Sequence, residues 1–217
     1  MKFFYTYFFI IISVLIITTY ITFKSFNNNL SNSTTMQKNI SSKIIRLHVI
    51  GHSNTSYDQT IKLKVKHTIV KELQPLLKNV TSKTHANKII KTHLTTLNKH
   101  ANNTLKKYAV DYSANTSLST VYFPIKQYGD LTLPEGNYES VCIKLGSAKG
   151  KNWWCVLYPT LCFVDCSHGV LPKESKTKLK TSLTLSEYNH VINQPSTKVT
   201  YQFAISKFLK NLIAISK

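Results

Sequence analysis

The residue types best suited to chemistry are concentrated between Gly150 and Cys166, in the stretch GKNWWCVLYPTLCFVDC. This stretch contains both tryptophans and three of the four cysteines of the chain. Three uses compete for it: a core strand, a metal or redox site, and a surface that another protein recognises. Cys162 and Cys166 have the spacing of half a zinc site, but Cys142 and Cys155 do not supply the other half. The spacing therefore argues against a zinc centre.

The histidines raise a second metal hypothesis. His48 and His52 have the H-x-x-x-H spacing that binds metals on a helix. Here the spacing straddles the end of a predicted strand, which would place the two rings about 13 Å apart. His93 and His100 lie two helical turns apart, or about 10.5 Å. Neither pair can chelate one ion alone, so we predict no metal ligand.

Catalytic chemistry has little support in the remaining residues. The nine acidic residues are scattered and form no persuasive acid–base pair. A catalytic Cys–His pair has no local signature. We therefore predict no catalytic residue, no cofactor and no small-molecule substrate.

The charge balance suggests an anionic partner. The chain has 28 Lys+Arg against 9 Asp+Glu, a formal net charge of +19. Such a charge suits nucleic acid, an anionic membrane surface or cell-wall polyanions, although codon bias toward Lys, Asn and Ile would produce it as well. The basic residues are concentrated between Lys43 and Tyr108, whereas the region from Ala109 to Asp165 is nearly neutral. The Trp/Cys stretch is therefore not expected to bind nucleic acid.

The N-terminal segment predicts the compartment. Phe3–Phe23 is free of charge and long enough to cross a bilayer as a helix. Residues 1–24 are predicted to be a signal peptide or a signal anchor, and the lack of an A-x-A-like cleavage site favours the anchor. Residues 25–217 should then lie outside the cytoplasm, attached to a membrane or secreted.

Four cysteines in an exported chain are expected to be oxidised. If Tyr138–Leu145 and Asn152–Tyr158 form a hairpin around residues 146–151, Cys142 lies opposite Cys155. A slip of one residue would break that match. All three connectivities of four cysteines therefore stay open at this point.

The order of the remaining elements predicts an α+β domain. It consists of an N-terminal strand, two long helices and a mostly antiparallel sheet of three or more strands, preceded by the membrane-spanning or signal helix. Ser56 and Gln59 form a capping box at the start of the first long helix, and Pro75 should end or kink it. In chain order the predicted elements are a strand Ile44–Ile50, a helix from Ser56, a helix Thr84–Tyr108, and strands Leu118–Phe123, Tyr138–Leu145 and Asn152–Tyr158.

The chain divides into five predicted segments. Residues 25–42 are a flexible polar linker, residues 43–165 the domain, and residues 166–197 a variable polar segment with a short helix near Ser186–Ile192. Residues 198–217 combine a strand with an amphipathic helix, Ile205–Ile215.

Trp153 and Trp154 are adjacent on a predicted strand, so their side chains point to opposite faces of the sheet. Either the helices cover one face and the C-terminal segment covers the other, or one tryptophan points outward. An outward tryptophan would be a rigid anchor of the kind enriched at binding hot spots. Both interpretations stay open.

Three stretches resemble the stage II sporulation protein R family of endospore-forming bacteria. They are IIRLHVIGHSNTSYDQTIKLKVK, FPIKQYGDLTLPEGNYESVCIKLG and NWWCVLYPTLCFVD. The resemblance covers about Ile44–Asp165, with a weaker echo in KVTYQFAI. Gly51 and His52 depart from the Ala-Asn pair that the family leads us to expect.

The resemblance implies a signal and not an enzyme. Such a protein is exported into the space between the forespore and mother-cell membranes. There it triggers a membrane-embedded aspartic protease on the mother-cell side, which processes an inactive sigma factor. An exported basic protein that binds or modifies the cell wall is the alternative from another class.

The resemblance also implies residue roles. It favours a Cys155–Cys162 disulfide, which would leave Cys142 and Cys166 to pair with each other. In the middle stretch it carries over Pro124, Tyr128, Gly129, Pro134, Gly136 and Tyr138. The residues that we predict to bind the partner are Trp153, Trp154, Pro159, Arg46, His48, Asn54 and Asp58.

Overall fold

The computed structural model describes residues 2–162 and 171–192, and the predicted α+β class is confirmed. Cys166 and the predicted C-terminal strand and helix of residues 198–217 lie outside the described residues. The helices are α1 Lys2–Lys43, α2 Ser56–Leu77, α3 Lys83–Lys107, α4 Lys173–Ser182 and α5 Leu185–Ile192. The strands are β1 Ile45–Ile50, β2 Ala114–Phe123, β3 Lys126–Tyr128, β4 Leu131–Leu133, β5 Gly136–Leu145 and β6 Asn152–Tyr158.

The main sheet has four strands in the order β2-β5-β1-β6. β1 is parallel to β5 and antiparallel to β6, while β2 is antiparallel to β5. The predicted β5–β6 hairpin is therefore wrong, because β1 lies between the two strands. β1 is buried along both faces, and a strand of that kind belongs in the centre of a sheet.

The rejected hairpin also removes the predicted contact between Cys142 and Cys155. Cys142 is the register partner of His48 on one side of β1, and Cys155 is the partner of Leu47 on the other. Cys155 instead forms a disulfide with Cys162.

One face of the sheet is covered by α2 and α3. Ile45, Leu47 and Val49 of β1 point into this aliphatic core and are fully buried. The N-cap of α2 is Thr55 and not Ser56, because the Thr55 side chain accepts a hydrogen bond from the Asp58 amide. α2 continues two residues beyond Pro75, which does not end it. Other members of this core are Ile61, Val65, Ile69, Leu73, Ile90, Leu97 and Leu105.

The other face is covered by the end of α1, the β3–β4 hairpin, α4 and α5. The predicted short helix near Ser186–Ile192 is present as α5. Both faces of the sheet are therefore covered. The buried members of this second core include Ile40, Ile44, Phe123, Leu131, Tyr138, Val156, Leu179 and Val191.

α1 joins the apolar N-terminal segment to the domain without a break. Its apolar part is long enough to cross a membrane, and none of that part is buried. The predicted flexible linker over residues 25–42 is instead helical. Asn, Ser and Thr favour helices weakly, but the C-terminal end of α1 is held in place. Ile40 is fully buried, and the Lys43 ammonium lies 2.6 Å from a Glu187 carboxylate oxygen.

Candidate partner-binding surface

The seven predicted partner-binding residues occupy three places. Arg46, His48 and Trp154 lie in the second core. We call the two loops of residues 51–55 and 146–151, at the end of β1 and the start of β6, the tip. Asn54 lies in the tip, and Asp58 and Trp153 lie next to it. Pro159 lies at the opposite end of β6.

Arg46 is a fully buried cation in an aromatic surrounding. Its guanidinium carbon lies 4.0 Å from the centre of the Phe123 ring and 5.0 Å from that of Tyr138. It donates to the Tyr128 hydroxyl and, at 3.4 Å, to the Cys155 carbonyl. Burial lowers the pKa of Arg46, and cation–π contacts offset part of the loss of hydration. Arg46 packs inside the second core and is not exposed to a partner.

His48 and Trp154 form a stacked pair beside Arg46. Their ring centres are 3.8 Å apart and the rings are inclined by 14°. The His48 Nε2 lies 3.0 Å from the Asn152 side-chain oxygen. Burial lowers the pKa of His48, and the nearby charges of Arg46 and Lys144 act in the same direction. A neutral imidazole that donates to Asn152 fits this environment, and Trp154 belongs to the scaffold.

Trp153 has the opposite orientation to Trp154 and is the tryptophan that a partner can reach. It is opposite Val49 on the face covered by the helices, at the rim of that face, and it is 36% exposed. The Lys66 ammonium of α2 lies 4.6 Å from the centre of the Trp153 ring. This distance is within the range of a cation–π contact.

The two loops of the tip are bonded to each other. The amides of Lys149, Gly150 and Lys151 donate to His52 O, Gly51 O and Asn54 Oδ1, at 3.2, 2.8 and 2.7 Å. A Cβ added at Gly150 would collide with the Ser53 carbonyl, so this approach requires glycine. The loop that links β5 to β6 therefore crosses the end of β1 in a fixed position.

Asp58 anchors the tip from below. Its carboxylate accepts hydrogen bonds from the hydroxyls of Ser53, Thr55 and Tyr112. Burial raises the pKa of Asp58, but these hydrogen bonds together outweigh burial and lower it. The Tyr112 ring in turn stacks on His52, with centres 4.3 Å apart. Asp58 is buried, so it positions the tip and does not face a partner. Asn54 also holds the crossing loop, but it is exposed, and its predicted partner-binding role stays a prediction.

Pro159 lies on a turn that the disulfide closes. The Cα atoms of Cys155 and Cys162 are 5.6 Å apart, so the pairing implied by the family resemblance is confirmed. The amide of Cys162 also donates to Val156 O at 3.0 Å. Pro159 borders a cleft of about 440 Å³ between α2 and α4. Cys142 is buried on β5, and its suggested pairing with Cys166 stays a prediction.

Several residues of these sites were not predicted. Lys62 and Lys66 on α2 were not singled out, and their i, i+4 spacing was the signal that could have placed them together. The stack of His52 on Tyr112 gave no sequence signal, because it joins distant segments. Among the described residues, no three His, Cys, Asp or Glu side chains are grouped so that they could hold a metal ion.

Comparison with known proteins gives a consistent result. The family model described as stage II sporulation protein R matches residues 41–168. Stage II sporulation protein R of Bacillus subtilis (strain 168) is 35% identical over 139 residues, which cover 64% of this chain and 62% of that relative. The match thus spans less than two thirds of the relative's length. No solved structure matches the chain.

Proposed function

The chain belongs to the stage II sporulation protein R family, and from this premise we propose that it is an exported signalling protein of endospore formation. In this proposal it acts in the space between the forespore and mother-cell membranes. It activates a membrane-embedded aspartic protease on the mother-cell side, and that protease processes an inactive mother-cell sigma factor.

The observation that best supports the proposal is the continuity of α1 with the domain. α1 is apolar enough to cross a membrane, and its last turns are packed into the second core through Ile40. A domain attached in this way would be held close to a membrane while its loops face away from α1. Such an arrangement suits a contact with a protein in the facing membrane.

The polar groups of the tip also suit a recognition role. Asp58, the acidic group most closely bonded into the tip, is occupied by three hydroxyl donors. A rigid loop pair that presents an aromatic ring is typical of a binding surface. We therefore assign no catalytic residue.

A wall-binding role is the competing proposal, and the basic charge favours it. α3 contributes Lys83, Lys88 and Lys91 to an open cleft of about 540 Å³, which could take an anionic polymer. A wall binder should lose function when these lysines are neutralised and should tolerate loss of Trp153. The signalling proposal predicts the reverse.

The test is processing of the inactive sigma factor in cells that make the candidate protease, with and without the full chain. We expect processing only when the chain is present and exported. Processing that is indifferent to the chain would reject the signalling role and favour the wall-directed one.

A further inference from the structure

The tip and α1 lie at opposite ends of the sheet. The Gln37 side-chain amide donates to Asn137 O at 3.4 Å, at the start of β5, and the described part of α1 just before it is exposed. β1 begins two residues after α1 and runs parallel to β5, so both strands end at the tip. β5 has ten residues, which places the tip roughly 30 Å from the point where α1 leaves the domain.

The rim of the tip has two lysines, Lys62 and Lys66, that form no ion pair with an acidic group of the described residues. Lys62 is 5% exposed, and its ammonium donates to Gln59 Oε1 at 2.6 Å and to Lys151 O at 3.1 Å. One turn further along α2, the Lys66 ammonium lies over Trp153. Neither ammonium forms an ion pair within residues 2–162 and 171–192. Burial lowers the pKa of both lysines, so a nearby anion would stabilise them.

Trp153 supplies the apolar part of the same spot. Its ring is partly exposed and lies on a strand that is fixed by β1 and by the crossing loop. Lys151 is exposed two residues before it. An indole with one cation over its ring and a second, exposed cation two residues before it matches a peptide in which a carboxylate neighbours an apolar side chain, because one segment can satisfy both.

We propose that Trp153, Lys66 and Lys151 form a docking spot for an acidic segment of a protein in the membrane that faces the tip. A carboxylate of that segment pairs with Lys66 and Lys151, and its apolar neighbour packs on the Trp153 ring. The inference rests on the proposed signalling function and names the surface that performs it. An anionic bilayer is a poorer occupant, because lipid-binding patches use about four to eight clustered basic residues.

The experiment compares full-chain variants in the sigma-factor processing assay. Trp153→Ala and Lys66→Glu should each lower processing about tenfold or more, as loss of a hot-spot residue does. Lys66→Arg keeps the charge and should retain most of the activity. Lys71→Glu makes the same charge change at an exposed position of α2 farther from the tip and should process like the wild type. Chain level and resistance to proteolysis report whether each variant folds.

A photo-crosslinking residue at position 151 of the full chain identifies the occupant directly. A product that joins it to an acidic extracytoplasmic segment of the protease supports the docking spot, and a product with lipid alone overturns it.

In the processing assay, the spot is also overturned if wild type drives processing and both folded variants, Trp153→Ala and Lys66→Glu, do so equally well. A loss with Lys71→Glu as large as that with Lys66→Glu would likewise overturn it. If wild type itself fails to drive processing, the proposed signalling function falls, and the docking spot falls with it.

Discussion

On one face of β1, Leu47 and Val49 pack against aliphatic side chains of α2 and α3, whereas on the other face Arg46 and His48 pack against aromatic rings. Both faces are buried, but they are stabilised differently. Aliphatic packing depends on the apolar area removed from water and needs no hydrogen-bond partners. The aromatic face must also satisfy polar groups, and the described residues leave Arg46 Nη1 and His48 Nδ1 without a hydrogen-bond partner. Substitutions and pH should therefore affect the two faces differently.

The largest contrast should come from neighbouring residues on the two faces. Leu47→Ala leaves a cavity in the aliphatic core and should lower the free energy of unfolding by about 3 kcal/mol. Arg46→Met keeps the volume and removes a buried charge that has no acidic partner, so it should change stability by about 1 kcal/mol or less, in either direction. Denaturant unfolding of the full chain in detergent micelles measures both. If Arg46→Met is as harmful as Leu47→Ala, the charge itself is required and our account of the second core is wrong.

The disulfide at the end of β6 should have the next largest effect. Replacing both Cys155 and Cys162 by Ala opens a loop that joins residues seven apart, and closing a loop of this size stabilises a fold by about 2 kcal/mol. A reductant should destabilise the wild type to the same extent, which is measured as a lower midpoint of thermal unfolding. The double variant is the control, and any further effect of the reductant on it would reveal a second disulfide, such as the predicted pairing of Cys142 with Cys166.

The aliphatic face could be predicted from the sequence, and much of the sheet could not. Apolar residues at helical spacing correctly predicted α2 and α3, and the same residues form the aliphatic core. The β5–β6 hairpin was wrong because strands adjacent in sequence were assumed to pair. Arg46 and His48 alternate with apolar residues over Ile44–Ile50, a pattern typical of a strand with one solvated face, and this hid the central position of β1.

The candidate site was predicted in part. Strand alternation correctly placed Trp153 and Trp154 on opposite faces. Which of them is more buried depends on the contacts of Trp154 with His48 and Phe123 on other strands, and strand alternation alone could not predict these contacts. The helical extension of α1 was also missed, because tertiary contacts such as that of Lys43 with Glu187 override weak helix propensity.

At the tip, Asp58 should give the fold a dependence on acid pH. Its pKa is lower in the folded chain than in the unfolded one, so its contribution to stability is present above the ordinary aspartate value of about 4 and is lost as the pH falls further. Asp58→Asn should lower stability at neutral pH and flatten this acid limb. Unfolding curves between about pH 3 and 7 test this, with Asp111→Asn as the matched control. An unchanged acid limb in Asp58→Asn would contradict the hydrogen-bonding role of the carboxylate.

The smallest expected effect separates the two tryptophans spectroscopically. Since burial lowers the pKa of His48, the stacked imidazole stays neutral in the folded chain down to below its ordinary pKa of about 6.5. Stability that depends on neutral His48 is complete above that pH and is lost as the pH falls. In Trp153→Phe, the remaining emission comes from Trp154 and should be quenched by protonated His48 only below about pH 6.5. Adding His48→Gln should abolish that quenching. In Trp154→Phe, Trp153 faces Lys66 and should emit independently of pH over the same range, so quenching there instead would show that the two rings have been assigned to the wrong faces.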